Sequence, residues 1–421
     1  MKSLLLPSPH RALLLALPAL LALACSSTTN EPRSTGPDVA AGASGADGGT
    51  AKDDPNRPPT CAESVDFQSD PQNCGRCGRV CDDGACHHGS CAPRVEATYD
   101  SRSTLSCVDD YEVVGGVVFI ANYTDGLFRV HNGASVSVDP GGNAALSTDA
   151  KALFAVSKEG GLRSGKVLKR YTAAGALLET VHTQGTKGIP FWTATDGKIV
   201  ATMGYYGGST LDAVSGAAHD LFDDITMDAE HDVQLVGADL YTSLDYGGVS
   251  RYSGSTWKKV VSFRSGVASW VVAGGHLYKT DFVNGAQASA ALFECDLDGG
   301  KEKTITPLDR DAVRPLAPPD WIIDPGATSD ARFAVVVSDG QKLYVFILIA
   351  GLHAPGTPDL GSGTVIAELG ADRKLRTIGA ASPGPDVTTQ REIKVRGGRV
   401  YWRSGVRCGY EGGGKISSIP L

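Results

Sequence analysis

From about residue 93 to its end the chain shows no helical periodicity of any length. Apolar residues recur instead in short alternating runs, separated by Gly-containing dipeptides. That pattern predicts an all-β chain, because alternation marks half-buried strands and tight hairpin turns need residues that tolerate positive φ. Laid over one another, the runs expose a unit: a short strand, a two-residue turn, a second strand centred on an aromatic or branched residue, a variable loop, a third strand and another turn. The first turns fall at Gly115-Gly116, Asp149-Ala150, Asp196-Gly197, Gly237-Ala238, Gly274-Gly275, Asp339-Gly340 and Gly397-Gly398. Behind them come Phe119, Phe154, Val200, Tyr241, Tyr278, Tyr344 and Tyr401. Second turns align at Asn132-Gly133, Ala174-Gly175, Ser215-Gly216, Ser253-Gly254 and Asp298-Gly299.

Successive centres lie 35, 46, 41, 37, 66 and 57 residues apart. Periods near ~40 with four strands per unit predict propeller blades, seven of them, over residues 93–421. The last repeat ends in Gly414–Leu421, a third strand with no fourth. An open blade would leave an unpaired edge, so Arg94–Cys107 is expected to supply the missing outer strand. Cys107 and Cys408 then fall on loops of one face and are expected to pair. Cys295 shares an apolar face with Phe293 and Leu297 and reads as a buried free thiol.

Ahead of the repeats, Lys2 and Arg11 precede an apolar stretch, Ala12–Ala24, too short for a ~20-residue membrane span and suited to a signal segment over residues 1–24. The run Leu21-Ala22-Leu23-Ala24-Cys25 resembles a bacterial lipobox, although the commonest form has Leu three residues before the Cys. The resemblance implies a lipid-anchored Cys25 as the mature N-terminus, with Ser26 favouring the outer membrane. Ordinary secretion is the alternative. Residues 25–60, rich in Ser, Thr, Gly, Ala, Asp and Pro, cannot bury enough surface to order themselves and read as a tether.

Six of the ten cysteines crowd the next segment, 61–92. Cys61, Cys74, Cys77, Cys81, Cys86 and Cys91 are accompanied by few sizeable apolar residues, so covalent links must replace a core. In an exported chain three disulfides are expected, with connectivity open. Zinc on Cys74, Cys77, Cys86 and the adjacent His87-His88 is the rival set. The stretch Asn73-Cys74-Gly75-Arg76-Cys77-Gly78-Arg79-Val80-Cys81 resembles the Asn-Cys-Gly-x-Cys-Gly-x-x-Cys modules of exported myxobacterial proteins, implying location rather than activity. The repeat itself is similar to NHL, YWTD and Kelch-like units, and that likeness implies architecture alone.

Composition narrows the function. Forty-seven acidic residues against 39 basic ones give a net charge of −8, which argues against nucleic acid. Glycine, 52 of 421 residues, is concentrated in the repeating turns. No nucleophile elbow, zinc-protease helix or phosphate-cradling loop occurs. The acids Asp223, Asp224, Asp228, Glu230 and Asp232 match no calcium loop and read as a solvated run. Loops entering the blades and loops joining second to third strands share one rim. There, Tyr123, Asp125, Tyr205, Tyr206, Asp245, Tyr246, Asp281 and Phe282 are candidates to stack on a sugar and bond its hydroxyls, against the plainer role of packing their own loops. The sequence thus points to a monomeric, cofactor-free and metal-free envelope lipoprotein that binds a glycan, peptide or envelope partner without catalysis. The alternative is a lyase- or lactonase-like propeller enzyme with its site in the channel.

Overall fold

The strand Arg94–Asp100 lies antiparallel to Gly413–Pro420, pairing Ala97 with Ile416 and Thr98 with Lys415. It completes a four-stranded sheet with Arg399–Gly405 and Ile393–Arg396. A strand that precedes blade one in the chain therefore closes the last blade, as the incomplete seventh repeat predicted. The computed structural model describes residues 64–100, 108–122, 125–141, 144–158, 166–183, 189–205, 207–223, 232–245, 247–264, 269–282, 290–323, 334–353, 361–381, 392–405 and 413–421. Cys25, Cys61, Cys107 and Cys408 lie outside the described residues, and with them the lipidation expected at Cys25 and the expected closing disulfide.

Six more antiparallel sheets complete a seven-bladed β-propeller. Blade one comprises Asp110–Val114, Val117–Asn122, Gly126–His131 and Ala134–Asp139 from the channel outward. Blades two, three, four and five repeat that order, beginning at Ala144–Thr148, Ile189–Thr195, Val233–Val236 and Ser269–Ala273. Blade six begins at Ala334–Ser338 and adds a short fifth strand, Ile322–Ile323, against Leu343–His353. The turns fall where the glycines predicted: Gly115, Gly116, Gly133, Gly175, Gly197 and Gly216 all have positive φ. At Asp149-Ala150 it is Ala150, at φ 71°, that takes the left-handed conformation.

Burial explains why the second strands are so apolar. Val118 and Ile120 pack toward blade seven, while Phe119 and Ala121 pack toward blade two. A strand sandwiched between blades has no solvent face, so it reads as a continuous apolar run. The outer strand Ala134–Asp139 is mostly exposed. Among the described residues, each of the seven blade interfaces holds one buried cluster. The core is thus distributed around the ring. Where no helical periodicity was expected, a single turn of helix, Arg310–Val313, links blades five and six. Four residues are too few to leave a periodic signal.

The cysteine-rich segment is covalently bonded. Cys74 pairs with Cys86 and Cys81 with Cys91, and Cys77 is also disulfide-bonded. The sulfurs of Cys74, Cys81 and Cys91 approach within 4.8 Å of one another, but all three are committed to S–S bonds, which removes them as thiolate ligands for zinc. The segment docks on the outer side of blades six and seven. Arg79, 3% exposed, donates from Nε to the Pro420 carbonyl (3.1 Å) and from Nη2 to the Ile378 carbonyl. Arg76 pairs with Glu368 and Asp82 with Arg399 at the edges of this contact.

Candidate functional site

The rim predicted from sequence falls largely outside the described structure. Tyr123, Tyr206 and Tyr246 are not among the described residues, and Tyr205, Asp245 and Phe282 are placed by backbone only, each ending a second strand. Asp125 is exposed in the turn after Asn122, whose Oδ1 accepts from its backbone N–H at 3.2 Å.

Asp281 sits inside the protein. Its side chain is fully buried and accepts from Lys279 Nζ at 2.8 Å and from the Arg264 backbone N–H at 3.0 Å. Lys279, also fully buried, reaches Glu302 at 2.9 Å and the Ser262 carbonyl at 3.0 Å. Its ammonium lies over the Phe293 and Phe263 rings. A cation so enclosed is tolerable only with this many partners. The cluster ties blades four and five together, and Asp281 is spent on it.

The central channel is a cavity of about 240 Å³ reached by all seven inner strands. Glu112 and Asp110, two of the acids that line it, are engaged by the ring. Glu112, 2% exposed, accepts from Arg396 Nε and Nη2, each at 3.1 Å, with Lys394 at 3.9 Å. Asp110 accepts from the Leu146 backbone N–H of blade two at 2.9 Å. Gln234 of blade four exchanges two bonds with the backbone of Val272 in blade five, and Ser269 of blade five does the same with Val336 in blade six. An inner strand has one edge without a neighbouring strand, and these side chains satisfy its orphaned backbone groups. Ser147 and Thr193, also lining the channel, have hydroxyls without a partner.

A larger recess of about 450 Å³ opens between the disulfide module and blades six and seven. His87, His88 and Ser90 come from the module, Asp320 and Trp321 from the link before blade six, and Trp402 and Ser417 from blade seven. Trp402 and Ser417 are register partners on adjacent strands, as are Ser404 and Lys415, so period-2 alternation puts all four on one face of blade seven. Opposite stand Ala380 and Ala381, whose small side chains leave the space open. The Ser90 and Ser417 hydroxyls are buried without a hydrogen-bond partner, a state that costs about 1–3 kcal/mol per group. Neither indole N–H, of Trp321 or Trp402, donates to a described residue, and Asp320 and Lys415 are exposed. Sequence reasoning missed this recess because its residues are scattered from 87 to 417. The one legible sign was Pro318-Pro319-Asp320-Trp321, an aromatic insertion that belongs to no repeat.

No protein family and no curated protein matches the chain. Among solved structures, a computationally designed protein named Ika8 is 10% identical over 78% of this chain and 100% of its own, at a TM-score of 0.42. The extracellular domain of a proposed one component system from B. thetaiotaomicron is 14% identical over 78% of this chain, at a TM-score of 0.45. An ancestral GH74 enzyme is 12% identical over 82%, at 0.49. The chain spans 40% of the B. thetaiotaomicron protein and 53% of the GH74 enzyme.

Proposed function

We propose that this chain is a cell-envelope lipoprotein, held by a lipid on Cys25, whose propeller is a non-catalytic binding module for a glycan, peptide or envelope partner. The observation that carries the reading is the state of the channel acids. Glu112 is clasped by Arg396, and Asp110 caps the inner strand of blade two. A propeller enzyme working in its channel needs acids or histidines free to meet substrate or metal. Here Glu112 and Asp110 join blade to blade, which favours a ring whose service is to present surface. An exported, disulfide-braced chain on a polar tether suits that service, because the tether lets the ring reach partners beyond the membrane.

Two measurements test the reading. Glycan and peptide arrays probed with the mature chain should give saturable binding, while a divalent-metal thermal-shift screen should leave the melting temperature unchanged. A metal-dependent shift accompanied by hydrolase or lyase turnover would overturn it in favour of the enzyme. Mass spectrometry of the mature N-terminus decides the anchor: diacylated or triacylated Cys25 is expected, and an unmodified Cys25 removes the lipoprotein.

A further inference from the structure

We infer that the recess between the disulfide module and blades six and seven is a saccharide-binding site, with Trp321 as its stacking surface. The inference deepens the binding reading above and rests on it. The volume, about 450 Å³, falls within the ~300–1,000 Å³ of small-ligand sites, which combine apolar walls with a few convergent polar groups.

The polar groups are of a particular kind. Ser90 is 9% exposed and Ser417 1% exposed, and both carry hydroxyls that no protein atom satisfies. Buried polar groups are nearly always paired, so two orphans lining one recess call for a partner from outside the chain. Both groups both donate and accept, as sugar hydroxyls do. The half-buried Trp321 adds an indole N–H beside a flat apolar surface, the amphipathic combination that tryptophan brings to binding sites. Trp402, 2% exposed, is instead packed against Phe346 in the core between blades six and seven.

Charge argues against an ionic ligand. Asp320 and Lys415 supply one charge of each sign, so the recess holds no field that would select an anion. On blade seven, sheet topology argues against a peptide added as a strand. Gly413–Pro420 is hydrogen-bonded on one edge to Arg399–Gly405 and on the other to Arg94–Asp100, leaving no free ladder. A neutral oligosaccharide, which presents hydroxyls at its rim and C–H groups on its faces, matches what remains.

The site is built jointly. Ser90 reaches the recess only because Arg79 and the Cys81–Cys91 bond hold the module against the propeller. Cys91 and Pro93 form part of the same wall. The disulfide module is then one half of a binding site as well as a covalently braced appendage.

The test uses the full mature chain with soluble cello-, xylo-, manno- and chito-oligosaccharides, read by calorimetry and tryptophan fluorescence. At least one series should bind, and Trp321→Ala should weaken it by tenfold or more. Because Trp321 also packs against the blade-five and blade-six core, Asp320→Ala and Lys415→Ala serve as parallel variants. They should weaken binding three- to tenfold with unchanged melting temperature. Ala381→Leu, which fills the recess, should abolish it. Saccharide binding that survives all four variants would place the ligand elsewhere and overturn the site, while leaving the binding module intact. Absence of binding across the panel, with a peptide captured on the array instead, would overturn the saccharide class alone. Silence on both arrays would sink the parent reading as well.

Discussion

Arg396 of blade seven grips Glu112 of blade one with two parallel hydrogen bonds of 3.1 Å, across 284 residues of sequence. Beside it, Tyr111 Oη donates to the Glu392 and Tyr401 carbonyls, and Arg403 joins Glu392 to the Val108 carbonyl. The seam where the ring closes is thus sewn with polar bonds in addition to its apolar cluster.

Removing one partner of that clasp should be asymmetric. Glu112 is 2% exposed, whereas the Arg396 side chain is 33% exposed. Arg396→Ala leaves a buried carboxylate with the Val113 backbone N–H at 2.9 Å and Lys394 at 3.9 Å as its remaining partners, and should cost about 3 kcal/mol. Glu112→Ala leaves a guanidinium that water can reach and should cost less. Urea melts of both variants and the double variant check this. Equal single costs, or strict additivity, would contradict it.

Lys166 makes stability rise with pH. Its ammonium, 1% exposed, donates to Ser209 Oγ at 2.5 Å and Thr202 Oγ1 at 3.1 Å in blade three. Desolvation pushes its pKa down to about 8, with the Asp220 charge opposing. The unfolded chain keeps this proton to about pH 10.4. Between those values the unfolded state binds more protons, so the destabilisation present below pH 8 is relieved as pH increases. Relative to Lys166→Met, the wild type should gain roughly 1 kcal/mol between pH 8 and 9. Paired denaturant melts would show no such difference if the group were solvated.

Cys295 should be inert in the folded ring. It is free, 2% exposed, and burial pushes its thiol up to about 11. Iodoacetamide at pH 8 should leave its peptide unmodified in native protein and alkylate it fully in guanidinium. Peptide mass spectrometry distinguishes the outcomes, and native labelling would contradict the packing between blades four and five.

The docking of the disulfide module should hang on Arg79. Desolvation pushes its guanidinium down to about 10, and its bonds run to carbonyls of blade six and of the strand Gly413–Pro420 in blade seven. Arg79→Ala should release the module as a unit, seen as faster proteolysis near Ala92-Pro93 with the propeller melt little changed. Replacing Cys81 and Cys91 by serine should instead unfold the module itself. A loop closed over a sequence separation of 10 residues contributes about 3 kcal/mol in the chain-entropy account.

The sequence by itself determined the ring. Hairpin turns need positive φ, so Gly115-Gly116 and Asn132-Gly133 announce their positions locally, and the strands between them follow by alternation. The closing strand was legible because a blade of three strands leaves an edge, and Arg94–Asp100 was the nearest unassigned run. Cys295 was legible from its neighbours two residues either side. Tertiary structure alone decided which polar groups are spent and which are free. Asp281 looks like a rim ligand in sequence, yet Lys279, two residues away on the same face, claims it in the core. Glu112 looks like a channel acid until Arg396 arrives from the far end of the chain. Trp321, Trp402, Ser90 and Ser417 carry no shared local signal, since what unites them is a recess formed by distant segments. Turn geometry is a property of neighbouring residues, and so the chain writes it locally. Hydrogen-bond satisfaction is a property of whatever folding brings within 3 Å, and no stretch of sequence holds it.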